Sequence, residues 1–480
     1  MAGLGLLSQN ISELAPRIKA REVSPVEVTI DAIAHAERMQ PILKSFITLT
    51  PERALRQAQD LESRLMRGEY LGPLHGIPIG LKDMLLSKGV RTTDGGKPLE
   101  NYVPDWDATV VERVNAAGTV ILGKENMHEI GGGAISDNQW YGRVRNPWDL
   151  ERIAGGSSGG SAANVASFVT YASIGTDSGG SVRMPSAVCG GVGLKPTYGR
   201  ISIRGGLEGP DPSTYHMGPH TRSVRDSAIM LQAMAGHDRL DPTTVPVPVD
   251  HYEGTLEQSI RGLVMGIPSN HFFDYLDLEI TEAVSKAITV LEELGAEPRQ
   301  VEIKYVDEMF KAGNALMMDY AGPYEQIMRQ NRNMISPSER YWLLSSQFVL
   351  AKDLVRAQQV RRLFQQEWAA MMQQVDFLVT PTTAMLPWEF GTKTVAVGDT
   401  EAGVSSGARL ARNTFPANYT GVPAITVPCG FSGGELPIGL QIMGRPWEES
   451  LVLRVAHQYE QAAPRSEAVP PAVRQALATE

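Results

Sequence analysis

Short apolar runs bounded by glycine or proline alternate with helical stretches along the chain, and this alternation limits the fold more than any other feature. IPIGL at 77–81 and TVILG at 119–123 enclose the helix-like DATVVERVNAAG. RGLVMGIP at 261–268 precedes the helical ITEAVSKAITVLEELG and the run VEIKYV, and FLVTPTT and PAITVPCG bring strand-like runs back near the C-terminus. Runs this short, flanked by turn residues and separated by helical spacing, argue for strands in a layered α/β structure. No linker rich in Gly, Ser or Pro divides the two ends, so their strands are expected to share one sheet. The predicted fold is therefore α/β: a large central, mostly parallel or mixed, twisted β-sheet flanked by helices on both faces, in a single unit over residues 1–480.

Two regions read as helical rather than alternating. In the N-terminal segment 10–70, Ser24, Pro25 and Glu27 suit the N-cap, first-turn and capping-box positions ahead of VEVTIDAIAHAERM, and a second helix covers ERALRQAQDLESRLMRG. Residues 305–375 form a longer helical region rich in Met, Tyr and Gln. The 47 glycines and 31 prolines are spread along the chain, implying many tight turns rather than low-complexity tracts. A net charge of −10 gives no broad field for gathering phosphates, so no direct nucleic-acid ligand is expected. Two cysteines outside any metal-like spacing and no run of eighteen apolar residues favour a cytoplasmic setting without a membrane.

The candidate chemistry lies between Gly155 and Pro185, where two serine-bearing glycine turns, GGSSGGSAA and GTDSGGSVRMP, carry no histidine between them. A serine nucleophile there needs another base. Lys82 follows IPIGL and precedes Asp83, so burial at the end of an interior strand would strip the ammonium of water and favour the neutral amine. Moving a lysine from about 10.4 to near 7 takes roughly 4 kcal/mol of differential stabilisation. For an isolated LKD tripeptide, a surface pair between Lys82 and Asp83 is the plainer reading. The bare backbone of Ser178, Gly179 and Gly180 leaves amides able to face a developing oxyanion beside the Ser181 hydroxyl. GSSGG also fits the G-x-S-x-G elbow with Ser158 as nucleophile, but VRNPWDLERIA before it is charged and proline-bearing rather than a buried strand. No phosphate-loop pattern is present.

These segments together resemble the amidase signature family of serine hydrolases. GIPIGLKDM, DATVVERVNAAGTVILGKENMHE, GGSSGGSAA, GTDSGGSVRMPSAVCGGVGLKPTYGR, TGVPAITVPCG and LPIGLQIMGRP follow the family pattern in order, over roughly residues 8–460 and most thinly at about 300–375. The family uses two serines 24 residues apart, the spacing of Ser157 and Ser181, and the resemblance thereby selects Ser157 over Ser158 as the second serine. It implies Ser181 as nucleophile, Ser157 as bridging acid and base, and Lys82 as the base that starts the relay. It also places Met127 on the substrate side, and Ser158, next to Ser157, is a further substrate-binding candidate. Asp177 is expected to hold the loop, His128 to be structural and Cys189 to be a packing residue. No metal ligand or organic cofactor is called for.

The implied activity is hydrolysis of a carboxamide C–N bond to a carboxylate and ammonia or an amine through a Ser181 acyl-enzyme. The leading expectation is a free-standing amidase whose partners are a small-molecule amide and, within the family's habits, a homodimer mate. The runner-up is the glutaminase A subunit of an aspartyl/glutamyl-tRNA amidotransferase, and the third reading is a binding protein that has lost turnover. STYHMGP at 213–219 departs from the family's usual SLDHVGP or SLDQIGP, with Tyr215 in the acidic position. That departure is expected to open or reshape the pocket and speaks against the amidotransferase reading. Met309, Phe310, Met317, Met318, Tyr320 and Tyr324 form either an apolar pocket wall or plain helix core.

Overall fold

The computed structural model describes residues 3–207, 212–316, 321–397, 400–404, 409–463 and 468–478. Its centre is an 11-stranded sheet. In chain order the strands are Phe46–Leu49 (β1), Pro78–Lys82 (β2), Val120–Glu125 (β3), Ala172–Asp177 (β4), Val192–Lys195 (β5), His216–Thr221 (β6), Val264–Pro268 (β7), Glu297–Val301 (β8), Phe377–Pro381 (β9), Ala424–Phe431 (β10) and Pro437–Met443 (β11). They lie side by side as β1-β3-β2-β4-β6-β5-β10-β11-β9-β7-β8. The β3-β2-β4 and β9-β7-β8 groups are parallel, and the remaining pairings are antiparallel. The sheet is thus mixed, and strands from both ends of the chain share it.

The apolar runs became buried strands because each is flanked by layers that exclude water. All five residues of β2 and all six of β3 and β4 are buried. Helices Pro51–Met66 and Glu449–Ala462 pack against β3 and β10. The helix Pro25–Leu43 starts as its sequence dictates: Ser24 Oγ accepts from the Val26 amide at 2.9 Å, while Glu27 Oε2 accepts from the Ser24 amide at 2.9 Å. Two strands depart from the periodicity. β8 is EPRQV, ahead of the expected VEIKYV, and its first four residues are exposed because an edge strand needs no apolar cover. β6 is HMGPHT, wholly buried yet with Thr221 as its one strand former.

The expected helical region consists of Val306–Leu316, Ala321–Asn331, Pro337–Ser346 and Ala351–Met371. Met309 and Leu316 pack with Phe364 and Trp368. A second cluster of Tyr324, Ile335 and Leu343 closes on Ile130, seating these helices on the loop that follows β3. Met317, Met318 and Tyr320 lie outside the described residues. Among the described residues no helix is long and apolar enough to cross a membrane.

Candidate active site

Parallel pairing sets the site's geometry. β2 and β4 run in register from Ile79↔Ala172 to Leu81↔Ile174, so their carboxyl ends leave the sheet together. Such ends are where open α/β sheets bind ligands. Lys82 ends β2 with no exposed surface, and its Nζ donates to Ser157 Oγ at 2.6 Å and to Thr176 Oγ1, near the end of β4, at 2.7 Å. Loss of water pushes the Lys82 amine down to about 7, against the pull of Asp94 and Asp177. Thr176 gave no signal in the sequence beyond being the first residue of TDSGGS.

Asp83 turns away from Lys82. Its Oδ2 accepts from the Thr93 amide at 2.8 Å and the Thr93 hydroxyl at 2.5 Å, and Lys124 Nζ lies 3.9 Å from its Oδ1. A surface Lys82–Asp83 pair is therefore absent, because both side chains are buried and differently partnered.

Ser181 sits two residues ahead of the helix Arg183–Cys189, and both it and Ser178 are half-buried in a stretch otherwise enclosed from Val169 to Thr197. The turn is held from beneath by Asp177. Its carboxylate accepts from the Gly180 amide at 2.8 Å and the Val182 amide at 3.2 Å, and forms a two-point pair with Arg183, Nε at 3.0 Å and Nη2 at 2.9 Å. That guanidinium keeps Asp177 well below the usual carboxylate range even though burial opposes it. The Gly180 N–H, one of the amides expected to face an oxyanion, donates to Asp177 Oδ1. Glycine is required at both central positions: a Cβ on Gly179 would run into the Phe415 ring, and Gly180 has φ +123 with Thr414 Oγ1 occupying the place of its Cβ. Phe415 stacks on Tyr419, and Phe310 meets it edge-on at 6.0 Å between centroids.

The two side chains expected on the substrate side are both fully buried. Ser158 is fully buried, donating to the Thr176 carbonyl at 3.3 Å and accepting from the Thr176 amide at 3.4 Å; it ties the two loops together. Met127 is enclosed in the core beside Gly95, with its carbonyl held by Asn138 Nδ2 at 2.9 Å. Tyr215 is buried against Gly206 and Met217, so it fills space rather than opening a pocket. Cys189 is buried, with its thiol pushed up by burial, which disfavours a thiolate.

Three contacts missed by sequence reasoning join the loop after β3 and the adjoining turn to the helical region. The Tyr324 hydroxyl donates to Asp94 Oδ2, His128 Nε2 lies 3.1 Å from Glu339 Oε1, and the Ser336 amide donates to Glu129 Oε2 at 3.1 Å. The His128 amide also donates to the Ser157 carbonyl at 3.0 Å. His128 is thus a structural tie, and among the described residues no cluster of potential metal ligands is present.

The family model described as Amidase matches residues 27–453. The chain belongs to the amidase family. It is 38% identical over 486 residues to the glutamyl-tRNA(Gln) amidotransferase A subunit of Geobacter metallireducens, covering 95% of this chain and 98% of that one. Among solved structures it is similar to the corresponding protein of Thermotoga maritima, with TM-score 0.80 and 30% identity over 97% of this chain and 98% of that chain. It also matches a chain from a vestigial protein complex that bears on the origins of an s-triazine catabolic enzyme, with TM-score 0.91 and 31% identity over 95% and 99% of the two chains. The amidase thus belongs to enzymes acting on carbon–nitrogen bonds, and its relatives back the amidotransferase runner-up over the free-standing hydrolase. They also correct the expected partners. A small-molecule amide, a possible homodimer mate and no direct nucleic-acid ligand do not describe relatives named as one component of a tRNA amidotransferase.

Proposed function

We propose that this amidase is the amide-hydrolysing component of a glutamyl-tRNA(Gln) amidotransferase, releasing ammonia from glutamine through a Ser181 acyl-enzyme. The observation that carries the chemistry is the buried 2.6 Å contact between Lys82 Nζ and Ser157 Oγ. Neutral Lys82 accepts the Ser157 proton, Ser157 accepts that of Ser181, and the Ser181 oxygen attacks the amide carbon. The carbonyl oxygen gathers charge facing the amides of Ser178, Gly179 and Ser181. The tetrahedral intermediate collapses as Ser157 gives a proton to the departing nitrogen, since an amide anion is too basic to leave alone. Water then attacks the acyl ester, passing its proton back along the relay, and Ser181 departs with a proton from Ser157. The end-to-end likeness to the Geobacter metallireducens protein supports glutamine as the amide donor and a second chain as ammonia acceptor. The unpaired cysteines, Cys189 and Cys429, support a reducing, cytoplasmic setting.

A second reading keeps the mechanism and changes the amide. It is favoured by Tyr215, which stands where the family has an acid, and by the higher TM-score with the s-triazine-related chain. Ammonia and amine release from glutamine, an aliphatic amide, benzamide, an anilide and a peptide amide, each beside Ser181→Ala, separates the two. Glutamine turnover that is lost in the variant supports the amidotransferase reading. Turnover confined to the other amides refutes it.

A further inference from the structure

The helices Pro337–Ser346 and Ala351–Met371 each bury one face. Leu343 packs with Tyr324 and Ile335 over Ile130, and Phe364 and Trp368 pack with Met309 and Leu316. The corner between the two helices does the opposite. Leu344, Phe348, Leu350, Leu354 and Val355 fall within residues 344–355 and are 41–81% exposed, where the outer face of a surface helix is ordinarily polar. The backbone of this corner is tied down. The Gln347, Phe348 and Val349 amides donate to the carbonyls of Leu344, Ser345 and Ser346 at 3.1–3.2 Å, and the Leu350 carbonyl accepts from the Asp353 amide at 2.8 Å. A single exposed apolar side chain is ordinary, but five on one hydrogen-bonded corner mark a surface that another molecule covers.

Charge indicates what kind of molecule. Residues 329–362 carry seven basic and two acidic side chains, within a protein of net charge −10. Of the two acids, Glu339 is buried against His128, and Asp353 lies 3.8 Å from Arg356. Arg340 stands one turn before Leu344, while Lys352 and Arg356 flank Leu354 and Val355. A second copy meeting this face about a two-fold axis would set the same cations against one another. Nucleic acid matches the charge but not the centre, where four of the five side chains are aliphatic and give a base no ring to stack on. We infer that corner 344–355 docks another protein chain, one presenting an apolar patch with an acidic rim, and that this chain is the second component of the proposed amidotransferase. The inference rests on that reading. The place of the corner favours it, because the helix carrying Leu344 grips the loop after β3 at its other end. There Glu339 meets His128, the Ser336 amide donates to Glu129, and the His128 amide holds the Ser157 carbonyl. A chain seated on the corner therefore touches the same helix that reaches the serine loop.

The test replaces Phe348 by photoreactive benzoylphenylalanine in the full chain, irradiates cells of the native host and identifies the crosslinked chain by mass spectrometry. That chain, purified, is titrated against wild type, Leu344→Ser/Phe348→Ser and Lys352→Glu, with thermal midpoints and fluorophosphonate labelling of Ser181 as checks on the fold. The expected result is a crosslinked segment combining apolar and acidic residues, binding weakened about tenfold or more in the double variant, and a loss in Lys352→Glu that shrinks as salt rises. Sedimentation velocity of the protein alone, and binding to transfer RNA and to phosphatidylglycerol vesicles, examine the other occupants. Self-association, RNA binding or vesicle binding that the double variant abolishes overturns the inference. So does a crosslink to no other chain, or a partner that binds the double variant undiminished. Ammonia release tells this failure from that of the reading beneath it. If Ser181-dependent release from glutamine persists while the double variant binds its partner as wild type does, only the docking site is wrong; if turnover is confined to other amides, the amidotransferase reading fails and the inference with it.

Discussion

Replacing Arg183 by methionine tests whether the nucleophile turn is held by one buried ion pair. The guanidinium is fully buried and all its donor groups are used: two bonds to Asp177, one to Asn418 Oδ1 at 2.6 Å, one to the Thr414 carbonyl at 2.9 Å and one to Gln441 Oε1 at 2.7 Å. Methionine keeps much of the volume and none of the charge. Asp177 would keep its bonds from Gly180, Val182 and Asn418 but lose its counter-charge, and breaking a buried pair from one side costs about 3–5 kcal/mol. The stranded Thr414 and Gln441 oxygens add a penalty of about 1–3 kcal/mol each before relaxation, so about 3 kcal/mol is a floor. Because the folded Asp177 sits below its unfolded value of about 3.9, the pair contributes fully above that pH and is lost as pH falls towards the folded value. The deficit should thus be constant from pH 5 to 8 and shrink only in stronger acid. Urea unfolding of wild type, Arg183→Met, Asp177→Asn and the double variant measures both loss and coupling. A single-variant loss below about 1 kcal/mol, or additive losses in the double variant, would refute the argument.

Ser157→Ala and Lys82→Met should each lower amide turnover by about 10²–10⁴-fold, read as ammonia release at pH 8. Lys82→Met should also stabilise the fold below pH 7: the folded lysine pKa of about 7 lies under its unfolded value, so wild type loses stability as pH drops from about 10.4 to 7 and stays penalised below, which urea midpoints at pH 6 and 9 can compare. Gly179→Ala should cost about 1–3 kcal/mol and most Ser181 labelling through its clash with the Phe415 ring, and adding Phe415→Leu should recover part of both in a thermal-shift and labelling comparison. Tyr215→Ala should cost about 3–5 kcal/mol in urea unfolding, because the ring fills buried space beside Gly206.

What the sequence made legible was whatever burial writes into hydrophobic pattern. β2, β3, β7, β9 and β10 were readable because each is an apolar run closed by glycine or proline. β6 was not, since HMGPHT carries a proline and two histidines into the middle of the sheet, where His216 Nδ1 meets the Thr214 carbonyl at 2.7 Å and His220 meets Ser186 Oγ at 2.8 Å. The Nδ1 of each histidine is taken up by a partner distant in sequence or by local backbone, and no period reveals that. The β8 edge failed for the opposite reason, having no burial to advertise. At the site, glycine-rich turns marked the serines, but not the fact that Asp177 takes the Gly180 N–H. Tyr324 and Asp94 are 230 residues apart, and neither residue type nor spacing announces their contact.

Burial alone does not single out the base. Lys82, Lys124 and Lys195 are all fully enclosed, and burial depresses all three amines. Their partners differ in what they can return. Lys195 Nζ donates to the Pro196 carbonyl at 2.9 Å, and Lys124 Nζ donates to the Leu85 carbonyl and to Thr92 Oγ1, whose own hydrogen goes to Val90 at 3.2 Å. A carbonyl has no proton to give, and a hydroxyl already committed elsewhere has none to spare, so these lysines stay donors whatever their charge. Lys82 meets two hydroxyls, and a hydroxyl rotor can reverse its bond, donating to the amine once the amine is neutral. Thr176 directs its hydrogen to Met84 Sδ at 3.1 Å, which leaves Ser157 as the hydroxyl positioned to pass a proton inward. In the proposed relay, what sets Lys82 apart is therefore the chemistry of its partners, since the depressed basicity is shared with Lys124 and Lys195.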